Sequence, residues 1–130
     1  MSAMAGECKD ANAYLVAVRD FVVSQDLADT VREFDPGAMI VTARTCRETL
    51  NAIKTCDRLA LAFVEAGPDR ILRARLDVTI RERHGRLVLL GDDAEDEWET
   101  GGAPGRIWPV LMRPFSSQAV TALLIAGRRA

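Results

Sequence analysis

Apolar residues fall along this chain in two rhythms. Short unbroken runs at Tyr14 to Val18, Met39 to Ala43, Leu59 to Val64, Leu87 to Leu90 and Ile107 to Met112 predict strands. Between them the spacing changes to three and four. Val23, Leu27, Val31 and Phe34 predict a helix over 22–34 that Asp35-Pro36-Gly37 stops. Leu50 and Ile53 mark the inner side of a second helix. Gly67-Pro68-Asp69 opens a third, with Leu72, Leu76 and Ile80 facing inward, His84 capping the last carbonyls and Gly85 following it. Ala94 to Gly105 is acidic and then glycine-rich, which predicts a short or frayed helix at most. Ser116 or Ser117 caps a last helix carrying Val120, Leu123 and Leu124.

The run from Leu59 to Val64 has no polar alternation, as expected for a strand buried on both faces of a parallel sheet. Strands alternating with helices predict right-handed crossovers and a layer of helices on each face. Residues 1–12 read as a flexible leader and 13–130 as one stand-alone domain, with Ala126-Gly127-Arg128-Arg129-Ala130 as its helix end. In such sheets chemistry gathers beyond the carboxyl ends of the strands, which makes the residues after each run the candidate site.

Composition narrows the classes. The 130 residues are 48% hydrophobic and 28% charged, a globular balance, and the net charge of −2 gives nothing global to attract nucleic acid or an anionic membrane. The start lacks the apolar run of a signal peptide, and no stretch is long enough to span a bilayer. The three cysteines, Cys8, Cys46 and Cys56, show no metal-ligand spacing and read as reduced thiols of a cytoplasmic protein, with Cys46 and Cys56, which bracket the second helix, buried.

Val110-Leu111-Met112-Arg113-Pro114-Phe115-Ser116 is similar to the fifth strand, Lys-Pro-Phe turn and last helix start of the response regulator receiver domains of two-component signalling. Val18-Arg19-Asp20, followed by Asp26-Leu27, resembles the family's Val-Asp-Asp opening, and the likeness covers residues 13–126. It implies a flavodoxin-like (βα)5 three-layer sandwich with a parallel sheet in the order 2-1-3-4-5, and a cis bond before Pro114. The family's chemistry is phosphoryl transfer to an aspartate, with Mg²⁺ on an acidic pair and Thr/Ser and Lys at the phosphoryl oxygens. This chain departs from it: the pair is Arg19-Asp20, the ungapped acceptor position is Phe63, the Thr/Ser position is Gly91 and the Lys position is Arg113. Arginine keeps the charge there, but its planar fork does not substitute for an ammonium. The aromatic switch position falls on Val110. The implied state is a degenerate pseudo-receiver that is not an enzyme and needs no cofactor, with Asp20 the one weak candidate ligand for Mg²⁺.

The remaining chemistry-bearing residues each have a bland and a sharp reading. Glu65 is either a solvated loop carboxylate or a permanent mimic of the phosphorylated state. The acidic run Asp92, Asp93, Glu95, Asp96, Glu97, Glu99 is either a solvated face or a rebuilt cation site, and Trp98 within it either folds back over the sheet or anchors an interface. Arg70, Arg73, Arg75, Arg81, Arg83 and Arg86 read as partners of Asp69, Asp77 and Glu82 along their own helix rather than as a nucleic-acid stripe.

The expected function is protein–protein interaction in a bacterial two-component-type pathway, with a histidine kinase or another regulator as partner, or a second copy in a homodimer. The resemblance implies docking through the family's fourth-helix, fifth-strand, fifth-helix face, here Trp108, Val110, Met112 and Ala119, with Trp98 beside it. Two alternatives stay open: a phosphoacceptor rebuilt from Glu65, with Asp20 and Asp92 or Asp93 holding metal, and an anion sensor lined by Phe63, Glu65, Gly91 and Arg113.

Overall fold

In a computed structural model the elements run β1 (Ala13–Ala17), α1 (Phe21–Phe34), β2 (Met39–Ala43), α2 (Cys46–Lys54), β3 (Leu61–Glu65), α3 (Pro68–Ala74), α4 (Leu76–Glu82), β4 (Arg86–Leu90), α5 (Asp92–Glu99), β5 (Val110–Leu111) and α6 (Ser117–Arg129). The structure describes residues 12–99, 108–112 and 116–129, with backbone alone at 97–99 and 127–129. The expectations for the leader 1–11, the tail of the acidic segment, Ile107, the side chain of Trp98 and the Arg113-Pro114-Phe115 turn lie outside these residues.

The sheet is parallel and ordered β2-β1-β3-β4-β5, as the resemblance implied. β3 sits at its centre, with Phe63 opposite Val16 on one side and Val88 on the other. Alternate residues of each strand point to opposite faces, so one sheet feeds two cores. Leu15, Ala62, Val64 and Leu89 pack with Ile53, Ile71 and Ile80 beneath α2 to α5. Val16, Phe63, Val88 and Leu90 pack with Leu27, Val31, Val120 and Leu124 beneath α1 and α6. The inner positions predicted for the first helix hold: Leu27 and Val31 are buried, and Val23 and Phe34 pack against the same cluster.

The third predicted helix is two. Arg75 takes a left-handed conformation, φ 57°, that ends α3 and opens α4. The break resets the helical phase. Ile71, not Leu72, faces the core, and Leu72 is 57% exposed. A regular spacing of four across Leu72, Leu76 and Ile80 assumed one continuous helix. The expected pairing of Arg70, Arg73 and Arg75 with Asp69 and Asp77 is not formed among the described residues either.

Other corrections are local. α4 closes through backbone N–H groups, His84 donating to the Arg81 carbonyl and Gly85 to that of Ile80, while His84 itself adopts the left-handed φ of 64° and its imidazole is exposed. Glycine is required next door for space: a Cβ on Gly85 would meet Leu59 and Ile80 side chains at 2.9 Å. α5 is short, as expected, but it begins at once after β4, two residues before Ala94. Asp92, Asp93 and Glu95 occupy its first turn, where the helix dipole favours acids, and Ala94 is fully buried beneath it. Cys56 is buried as expected, but Cys46, at the start of α2, is exposed.

The reset of the helical phase is testable in urea. Ile71→Ala should cost about 2–5 kcal/mol, the range for truncating a buried isoleucine. Leu72→Ala should fall within about 0.5 kcal/mol of wild type, as exposed substitutions do. Equal losses would mean that α3 packs by the continuous pattern after all.

Candidate functional site

The strands end together at one edge. β1 runs out into Arg19 and Asp20, β2 into Arg44, β3 into Glu65 and β4 into Gly91. The parallel register brings them side by side, Glu65 opposite Leu90 and Val64 opposite Ala17. Phe63 is not among them. It lies two residues short of the edge, fully buried in the core beneath α1 and α6, where it offers neither a polar group nor access to solvent.

Glu65 occupies the centre of this edge as the last residue of β3, and it is not a solvated loop carboxylate. Its side chain is 24% exposed, and its Oε1 accepts a 2.8 Å hydrogen bond from the backbone N–H of Arg19. The Arg19 guanidinium stands 3.8 Å from the same oxygen, itself 73% exposed and therefore a weakly coupled, water-screened partner. Phe63 and Glu65 share one face of the strand, so the carboxylate emerges where the buried run first reaches water.

Gly91 makes room for it. A Cβ there would sit 2.8 Å from Glu65 Cγ, and the backbone has φ +100°, a region that L side chains rarely adopt. Gly91 thus offers backbone alone, and it allows the Glu65 side chain to cross from β3 toward β1.

Asp20 is committed elsewhere. It is the N-cap of α1, its Oδ1 accepting from the N–H groups of Val22 and Val23 at 2.9 and 3.2 Å. Those bonds satisfy two of the donors that a helix start leaves unpaired. A divalent cation would compete with both caps, and the neighbouring carboxylate of Glu65 already carries a guanidinium and an N–H. Among the described residues no three His, Cys, Asp or Glu side chains converge in a way that would hold a metal ion. The described residues do not fit the Mg²⁺ site that the resemblance implies.

Arg44 is the member that sequence reasoning missed. Its Nη2 donates to the Arg19 carbonyl at 3.3 Å, while its own N–H donates to Glu48 Oε1 at 2.8 Å. The β1 to α1 loop is therefore held from both flanking strands, by Glu65 on one side and Arg44 on the other. The signal in the sequence was only positional, a cation one residue past the end of the second strand. Phe21 and Val22 went unremarked for the same reason; at 67% and 65% exposed they stand in solvent beside Asp20.

The residues expected at an interface are partly placed. Trp108 and Val110 are half-buried and pack against the core beneath α2 to α5, Met112 is half-buried, and Ala119 is exposed on α6. Trp108 also lines a groove of about 230 Å³ with Arg81, Arg86, Leu87, Pro109 and Leu123. Asp93 is exposed at the start of α5, its Cβ 3.0 Å from where a Cβ on Gly67 would lie, so α5 and the turn before α3 are in close contact.

The order of the strands and the two helical layers define a CheY-like, flavodoxin-like α/β fold. No protein-family model and no curated protein matches the chain. Among solved structures, it is similar to a response regulator receiver protein from Sinorhizobium medicae WSM419, at 22% identity and a TM-score of 0.61 over 91% of this chain and 98% of that one. It is also similar to the chemotaxis protein CheY4 of Vibrio cholerae, at 16% identity and a TM-score of 0.62 over 89% and 98% of the two chains. A structure described as adenylate cyclase from Rhodopirellula baltica matches at 19% identity and a TM-score of 0.64 over 92% and 88%. Its structural neighbours are thus receiver domains among others, and the likeness extends to the fold. No helix among the described residues is long and apolar enough to cross a membrane.

A double-mutant cycle reads the coupling at the edge. Gly91→Ala should destabilise by about 1–3 kcal/mol, the cost of forcing a side chain into that backbone region together with displacing Glu65. In a Glu65→Ala background the displacement vanishes and the loss should be smaller. Strict additivity would show that Glu65 is not what excludes a Cβ. Asp20→Asn should keep most of the cap, and Asp20→Ala should lose about 1 kcal/mol.

Proposed function

We propose that this chain is a pseudo-receiver, a receiver-like signalling module of a two-component-type pathway that acts by protein–protein interaction and carries no aspartyl phosphorylation. The observation that carries the reading is Glu65, a fixed carboxylate bonded at 2.8 Å to the Arg19 N–H at the edge where the fold's relatives do their chemistry. A carboxylate held this way is a standing negative charge, and a standing charge holds one conformation instead of switching between two. The acid that would help to bind a metal, Asp20, caps a helix. Gly91 supplies no hydroxyl, and Phe63 no nucleophile.

Such a module works as a scaffold whose docking surface is always presented. The partner is a signalling protein, a histidine kinase or another regulator, and the contact surface is the β5 edge with Trp108, Val110 and Met112. Trp108 supports this reading by standing half-buried at the groove that borders that edge. No cofactor and no catalytic step are required, and the cytoplasm is the compartment such a pathway implies.

The test is an NMR titration with Mg²⁺ followed by beryllofluoride, watching the amides of Arg19, Asp20, Glu65 and Gly91. The expected result is no saturable shift at either step. Saturable shifts at these amides would establish a rebuilt phosphoacceptor or anion site and overturn the proposal.

A further inference from the structure

Two surface features lie on opposite layers of the sandwich. On one layer, α3 presents Leu72 at 57% exposure, flanked by the exposed Arg70, Arg73 and Arg75. None of these guanidinium groups forms an ion pair among the described residues. On the other layer, α1 and α6 enclose a cleft of about 460 Å³, lined by the apolar Val23, Leu27 and Val120, the acidic Asp26, Asp29 and Glu33, and the hydroxyls of Thr30, Ser116 and Ser117. Asp29 is shared with Arg32 at 3.2 Å, and both are exposed.

The two surfaces are complementary in charge and in polarity: an apolar residue flanked by three cations, and a cleft lined by apolar side chains and three acids. We propose that a second copy of this chain is the occupant, with Leu72 of one copy seated in the α1–α6 cleft of the next and Arg70 and Arg73 against its acids. Burial of Leu72 supplies the attraction, and the opposed charges set partner choice and encounter rate. The sheet separates knob from cleft, so the contact is heterologous. Each copy that joins leaves one knob and one cleft open, and the assembly continues head to tail. This contact uses neither Glu65 nor β5, so it stands whether or not the pseudo-receiver reading does.

Sedimentation velocity of the purified chain across a concentration series tests it. At low salt the weight-average mass should rise past that of a dimer. It should fall in about 1 M salt, where charges are screened beyond about 3 Å. The pair Arg70→Glu with Arg73→Glu, and separately the pair Asp26→Lys with Glu33→Lys, should each weaken association about tenfold or more. Mixed in equal amounts, the two charge-reversed chains should associate again, because each knob now meets a cleft of opposite sign. Leu72→Ser, at an exposed position, should weaken association with the fold unchanged by circular dichroism, which keeps the test valid if a cleft variant unfolds. A wild-type chain that stays monomeric overturns the proposal, as does a mixture that fails to associate. Assembly that ignores both charge reversals and is lost in Trp108→Ala would place the contact at β5 and overturn it equally.

Discussion

Everything in this molecule follows from the burial of β3 on both faces. Leu61, Ala62, Phe63 and Val64 are all buried at the centre of the sheet, hydrogen-bonded to β1 on one side and β4 on the other. A strand with no wet face demands a layer of helices above and another below, and parallel neighbours demand crossovers that supply them. Ile53, Ile71 and Ile80 close one layer, Leu27, Val31 and Val120 the other. The same constraint decides where polar chemistry is permitted. Inside the run a charge would be stranded without solvent, so the first place that a carboxylate survives is the residue where the strand meets water, and Glu65 stands there.

At that edge the carboxylate is satisfied by the protein itself. The Arg19 N–H, the Arg19 guanidinium and the room left by Gly91 fix Glu65 across the gap between β3 and β1, and Arg44 holds the same loop by its carbonyl. The Arg19 N–H and the Arg44 guanidinium are thus engaged within the edge itself. On the pseudo-receiver reading proposed above, such an arrangement serves as a permanent surface, because a switch needs groups whose partners change between two states.

The left-handed Arg75 shows how one backbone choice reaches the surface. A non-glycine residue in that region costs about 1 kcal/mol, and here it turns Ile71 inward and Leu72 outward. On α3, Pro68–Ala74, Arg70 and Arg73 form no ion pair among the described residues, and they stand beside an exposed apolar side chain. The layer that carries them lies across the sheet from Asp26, Asp29 and Glu33 of α1.

Much of this was legible in the sequence, and the part that was not has a common cause. Runs such as Leu59 to Val64 and the spacing of Val23, Leu27, Val31 and Phe34 specify strands and helices because burial on a strand or a helix face has a local period. The alternation of these elements and the Arg-Pro-Phe turn resembling a known family were enough for the fold class and the strand order. Leu72 was misassigned because a left-handed arginine has no signature in composition. Cys46 looked buried because its neighbours along the chain do not tell how α2 is turned. Glu65 looked like a loop residue, and Phe63 like the edge, because counting along one strand does not reveal where its neighbours stop. The chain alone determined which segments are buried, since burial periodicity is written residue by residue. Only the tertiary structure decided that Glu65 meets Arg19, that Asp20 caps a helix and that Leu72 faces water, since those depend on register and on backbone turns that bring distant residues within hydrogen-bond reach.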